Sequence, residues 1–108
     1  MDLEITAAMR RGTFTAMGPS GLLDIGAVQV AVISRHTEPF DLGHLRSLGV
    51  EPTECRYLIL KSRIHYRVGF REIAAHEIPI SGVSVTSSDN SLFTFENVRR
   101  PIFPLDEV

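Results

Sequence analysis

The segment KSRIHYRVGF (residues 61–70) sets one lysine, two arginines, a serine and a histidine directly behind the apolar run Tyr57, Leu58, Ile59, Leu60. A hydroxyl, an imidazole and several cations at a strand end suit three kinds of chemistry. They can start a solvated helix, form a self-contained active site, or make one wall of a site whose remainder lies elsewhere. If the strand ends near Lys61 and a helix begins after Ser62, Ser62 stands as its N-cap and accepts the orphan N–H of Ile64 or His65. Helix N-termini attract anions, so Lys61 and Arg63 put positive charge where the helix dipole disfavours it. An anionic ligand or an acidic neighbour would account for that charge. The plainer alternative has Ser62 capping, Arg63 and Arg67 solvated, and Tyr66, Phe70 and Ile73 in the core.

Other reactive constellations are weaker. His36, His44, His65 and His76 include no HxH or HExxH pair, and His76-Glu77 brings no third ligand. No metal ligand is therefore assigned in this chain. There is no GxSxG elbow, and the one cysteine, Cys55, has only Arg56 as an electropositive neighbour. Ser62 and His65 can face each other across a helical turn, but no acidic residue nearby is placed to orient the histidine. No catalytic residue is assigned. GPSG at residues 18–21 is a turn rather than a phosphate loop. In the tail, Arg99-Arg100-Pro101 is either a solvated pair or, with Ile102 and Phe103 anchoring it, a guanidinium presented to a carboxylate.

The elements that must position these groups follow from the hydrophobic pattern. Residues 3–8 and 13–17 read as strands around Arg10-Arg11-Gly12, with Gly12 tolerating the positive φ of a tight turn. Residues 22–25 and 28–34 make a second hairpin around Gly26. Its β-branched run Val28, Val30, Val32, Ile33 is dense enough to predict cover on both faces. Asp41 can cap a short helix with Leu42, Leu45 and Leu48 on one face and Gly49 as its stop. Residues 56–60 read as a strand, and the i, i+4, i+7 spacing of Tyr66, Phe70 and Ile73 predicts an amphipathic helix. Residues 76–80 return as a strand, residues 83–90 are polar loop, and the tail is extended around Pro101 and Pro104. The expected fold is a single α+β domain, with a mostly antiparallel or mixed sheet of about five or six strands, two short helices, and one sheet face covered by the helices.

The totals agree with one folded domain: 108 residues, 44% hydrophobic and 22% charged. A net charge of -2 and a pI of about 6.0 argue against nucleic acid as a partner. No apolar run approaches the ~18 residues of a membrane span, and a single cysteine suits a reducing cytoplasm. The chain enters strand-like residues at once, in MDLEITAAMRRGTFTAMG, which leads to the expectation of a fragment.

The order of these features resembles the carboxy-terminal domain of the microcystinase C (MlrC)-like metallopeptidases. Lys61-Ser62-Arg63-Ile64-His65-Tyr66-Arg67, then Phe70-Arg71-Glu72-Ile73-Ala74, are similar to that family's K-S-x-x-H-F-R and F-x-x-I-A. Arg99-Arg100-Pro101-Ile102-Phe103-Pro104-Leu105-Asp106 is similar to its closing R-R-P-I-[W/Y/F]-P-L-D. In the first half, Met17-Gly18-Pro19-Ser20, Val32-Ile33-Ser34-Arg35, and Phe40-Asp41 with Leu48-Gly49-Val50-Glu51-Pro52 fit in the same order. Two departures stand out: Tyr66 for phenylalanine, and Val83-Ser84-Val85-Thr86-Ser87 for P-G-L-T-S/T.

The resemblance implies part of a zinc-dependent hydrolase of peptides and related amides. Its zinc ligands belong to an amino-terminal domain absent from this chain, supplied by the parent protein or a separate chain. By resemblance Lys61, Ser62, His65, Arg67 and Arg100 face the substrate, a peptide, without being catalytic alone. The alternative is a stand-alone binding or interaction module that self-associates through the face meant for the metal domain. Neither nucleic acid nor a membrane is expected as partner.

Overall fold

The computed structural model describes residues 2–7, 10–82 and 87–107. By its own contacts the chain divides into two compact units, Met1–His76 and Glu77–Val108. The fold is α+β, and the described residues form four strands rather than five or six, in two separate two-stranded antiparallel sheets.

The first sheet pairs β1 (Asp2–Glu4) with β2 (Phe14–Ala16), Leu3 lying opposite Thr15. The ladder continues past the strands, where the Ile5 N–H reaches the Thr13 carbonyl at 2.8 Å. The turn carries two positive φ angles, 63° at Arg10 and the expected 77° at Gly12. The second hairpin joins β3 (Ser20–Asp24) to β4 (Gln29–Ile33), with Leu23 opposite Val30 and Leu22 opposite Ala31. Beyond β4, Ser34 and Arg35 donate to the carbonyls of Pro19 and Met17, tying this hairpin to the end of β2.

Leu3, Ile5, Met17 and Phe40 form the buried core, with Ala7, Ile33 and Leu48 packed against it. Only one face of the β3–β4 hairpin reaches that core. The residues opposed on its other face, Leu23 with Val30 and the flanking Ile25, Val28 and Val32, are between 41% and 69% exposed. Among the described residues the expected cover on both faces of residues 28–33 is therefore not present. Periodicity reports that a strand is apolar on both faces, but not whether this chain has a layer to place on each.

Asp41 holds the first unit together. Its side chain is fully buried. Its Oδ2 accepts the N–H of Thr6 at 2.7 Å, the N–H of Ala7 at 2.6 Å and the Thr6 hydroxyl at 3.1 Å. Its Oδ1 accepts the N–H of Gly43 at 2.7 Å, the first residue of α1 (Gly43–Arg46). Asp41 thus binds a helix-start N–H as expected, from one residue before the N-cap position, and at the same time closes the end of β1. Burial opposes its charge, but the N–H groups of Ala7, Gly43 and Thr6 outweigh that and hold its pKa below the ordinary aspartate value. His44 is buried behind it, its Nδ1–H donating to the Asp41 carbonyl at 2.9 Å and its ring edge-on to Phe40 at 5.1 Å.

Helix α1 is a single turn. Gly49, at φ 83°, ends it where expected, and the bonds Val50 N–H to Leu45 carbonyl and Gly49 N–H to Arg46 carbonyl complete a Schellman-type stop. Arg46 then grips Glu51 with two nitrogens, at 2.8 and 3.0 Å. Glu51 also caps the 3-10 turn Pro52–Glu54 by accepting from Thr53. The Arg46 bond, helped by Thr53, lowers the Glu51 pKa to about 2.

Residues 56–60 and 76–80, expected as strands, are not strands. Tyr57, Ile59, Ile78 and Ile80 are 75% to 85% exposed. An apolar run forms a strand only where another edge receives its N–H and C=O groups, and among the described residues none does. The expected helix shrinks to α2 (Arg67–Phe70), with Phe70 buried but Tyr66 and Ile73 only partly so. Residues 83–86, where the sequence departs from the resemblance, lie outside the described residues. Among the described residues no helix is long and apolar enough to cross a membrane.

Asp41→Asn should lower the unfolding free energy by about 3 kcal/mol at neutral pH, because an amide cannot accept all these donors. The folded pKa is depressed, so this stability is present above the unfolded value of ~3.9 and is lost as pH falls through the folded one. Urea titrations across pH should show the gap between wild type and variant closing below about pH 4. A gap independent of pH would mean that the ionised carboxylate is not what holds the strand end.

Candidate functional site

The KSRIHYRVGF segment enters its helix through a compact turn. The Ser62 N–H bonds the Leu60 carbonyl at 3.0 Å, and the Ser62 hydroxyl accepts the N–H of Tyr66 at 3.2 Å. Ser62 is therefore not the expected N-cap: α2 starts at Arg67 behind Tyr66 as its N-cap, and the Ser62 hydroxyl takes the N–H of Tyr66 itself rather than that of Ile64 or His65. The donors of Arg67 and Val68 meet the carbonyls of Ile64 and His65, winding α2 from the same turn.

What fixes α2 in place is a glycine. A Cβ on Gly69 would sit 2.5 Å from the carbonyl oxygen of Phe40 and 3.0 Å from the Cα of Asp41. Both are backbone atoms that cannot swing aside. The helix thus lies directly on the residues that carry the core aromatic and the buried carboxylate.

This seating brings Ser62 and His65 to a residue far off in sequence, Glu38. The Ser62 hydroxyl donates to Glu38 Oε2 at 3.1 Å, and His65 Nδ1 meets the same oxygen at 2.7 Å. The expectation that no acid orients His65 is thereby corrected. The orienting acid is separated from His65 by 27 residues, so no local spacing could reveal it. With Nδ1 committed to the carboxylate, Nε2 is the ring atom left to accept or donate a proton. The half of a triad that orients a histidine is therefore present. The other half is not, because Ser62 spends its proton on the carboxylate rather than on the ring. The side chains of His65 and Glu38 are 51% and 44% exposed, which keeps the pair a weak contributor to stability.

Glu38 and His65 lie at an open cleft of about 630 Å³, which Arg10, Phe14, Arg35 and His36 also line. Its floor comes from β2 and one wall from the chain leaving β4. Arg10, Arg35 and His36 were not singled out by their sequence neighbourhoods, each being one polar residue in a turn or at a strand end. Only the docking of β2 beside residues 35–40 assembles them.

The other expected site residues are distributed as follows. Lys61 is exposed, and the Arg67 guanidinium stacks over the Tyr66 ring at 5.8 Å. Arg100 lies in the second unit, in a two-nitrogen ion pair with Asp106, which also accepts the Ile102 N–H at 2.8 Å. That pairing raises the Arg100 pKa and lowers that of Asp106 to about 2. The guanidinium is thus presented to a carboxylate, but one of its own tail. Phe103, expected as an anchor, is 77% exposed.

The donors here do not fit zinc. Among the described residues no three of His, Cys, Asp and Glu come together around one point, and Glu38 with His65 supplies only two.

A family model described as MlrC C-terminus matches residues 2–97. The chain belongs to the MlrC C-terminus family. The MlrC C-terminus match takes in the whole of the cleft, Ser62, α2 and Gly69, and it ends ahead of Arg99-Arg100. No curated protein and no solved structure matches the chain significantly.

Gly69→Ala should cost about 2 kcal/mol or more, because backbone must move to admit the methyl group. It should also shift the NMR signals of the His65 ring. Glu38→Gln should move the same ring signals while costing under about 1 kcal/mol, since the pair it breaks is half exposed. Equal stability losses for the two variants would contradict this division between seating and orienting.

Proposed function

We propose that this chain is the accessory, substrate-facing carboxy-terminal part of a zinc-dependent peptidase or amidohydrolase, working in the cytoplasm and not catalytic alone. The metal would be held by a separate amino-terminal domain, of the same parent protein or of another chain. The observation that carries the reading is the convergence of Ser62 and His65 on Glu38 at the rim of an open cleft, within a chain of the MlrC C-terminus family. A peptide bond hydrolysed beside such a wall develops negative charge on its oxygen, and oriented donors stabilise that charge. On this reading Lys61, Ser62, His65 and Arg67 serve the substrate, and Arg100 does so if its pair with Asp106 opens. Nucleic acid has no part in it, given the acidic pI.

A second reading, a stand-alone binding module that self-associates, is favoured by one specific observation. The aliphatic face of the β3–β4 hairpin, Leu23, Ile25, Val28, Val30 and Val32, has no cover among the described residues. Apolar surface of this kind is usually an interaction site. The metal-binding domain covers it on the first reading, and a second copy of the chain on the other.

Two measurements separate these readings. With zinc added, the isolated chain should bind no stoichiometric metal and hydrolyse no peptide; turnover abolished by His65→Ala would overturn the accessory role. In sedimentation velocity, a discrete dimer that dissociates in Val30→Lys would favour the self-associating module. Open-ended aggregation relieved by the same substitution would favour a face made for another domain.

A further inference from the structure

We infer that Arg10 and Arg35 form a carboxylate-binding wall of the cleft that ends at the Glu38–His65 pair. The inference rests on the reading of this cleft as substrate-facing and specifies the chemistry of what it receives.

The argument begins with charge. Among the residues lining the cleft the formal charges are those of Arg10, Arg35 and Glu38. Glu38 is the one carboxylate, and its Oε2 already accepts from both Ser62 and His65. Among the described residues neither Arg10 nor Arg35 has an ion-pair partner. Two guanidinium groups thus share a concave surface with one hydrogen-bonded carboxylate, leaving a formal excess of one positive charge. Like charges gathered in a cleft raise the potential there and draw in anions.

Both arginines are also positioned by something other than solvent. Arg10 stands at φ 63°, in the left-handed region that non-glycine residues seldom adopt, and its guanidinium lies 5.9 Å from the centre of the Phe40 ring. The backbone of Arg35 is bonded to Met17, and its stem runs over Gly18, where a Cβ would meet its Cγ at 3.1 Å. Arginine held in this way loses less freedom when it grips a planar anion, and its fork of donors matches a carboxylate. The volume, about 630 Å³, is that of a site for a small ligand, and the exposed Phe14 provides apolar surface beside the charges. A short peptide bearing a carboxylate, at its C-terminus or on a side chain, suits both features.

The test compares three probes on the 108-residue chain by calorimetry: N-acetyl-trialanine, its C-terminal amide, and an N-acetyl tripeptide amide with a central glutamate. A carboxylate-bearing probe should bind at least about ten-fold more tightly than the neutral amide, which is the scale of one charge-assisted contact. Whichever carboxylate binds more tightly identifies the source. Arg35→Gln and Arg10→Gln should each reduce that advantage, and the double variant should bring it within about three-fold of unity. Arg35→Lys, which keeps the charge but loses the fork, should retain part of it. Equal binding of all three probes would overturn the carboxylate preference while leaving the cleft as a peptide-facing surface. Binding of none, or an advantage that survives the double variant in protein that still melts cooperatively, would overturn the inference itself. Loss of the accessory role would show instead in the zinc and hydrolysis measurements.

Discussion

The buried carboxylate of Asp41 is the constraint on which the first unit depends. A charge taken out of water is tolerated only where donors replace the solvent, and here the backbone of Thr6, Ala7 and Gly43 does so. Those donors are otherwise orphans, two where β1 runs out and one at the first residue of α1. One side chain therefore satisfies two elements that have no hydrogen bonds to offer each other. Phe40 and His44, on either side in sequence, complete the arrangement by packing into the core and behind the carboxylate.

The site hangs from the same place. Helix α2 is seated on the backbone of Phe40 and Asp41 because Gly69 has no side chain to hold it away. Two residues before that seat, the chain passes through Glu38, and the turn leading into α2 carries Ser62 and His65 to it. The position of the imidazole follows from core packing, not from the weak, half-exposed bond it makes. Such an arrangement leaves the histidine ring oriented but accessible to solvent.

Local reading was most successful where the signal was itself local. Both hairpins, Gly12 in its turn and Gly49 as a helix stop are each dictated by a few neighbouring residues, whereas Ser20 and Gly21, read as part of a turn, belong to β3, and Ser62, read as an N-cap, lies ahead of the true N-cap Tyr66. It failed at residues 56–60 and 76–80, because their extended, apolar character needs a partner edge to become a strand. It failed as well at the outer face of β4, where pattern could not say that none of the described residues covers it. Asp41 was legible as a helix-start acceptor, but its grip on Thr6 and Ala7, 35 and 34 residues away, was not.

The segment that carries most of the polar chemistry and its place before a helical turn were determined by residues 61–70 alone, and with the motifs around them these indicated the MlrC C-terminus family. Tertiary structure alone decided that Glu38 orients His65 and that Arg10 and Arg35 line the same cleft. The physical reason is range. Capping and turn geometry act across a few residues, whereas a carboxylate is delivered to a histidine 27 residues away only once a core has formed and a glycine has let two backbones touch.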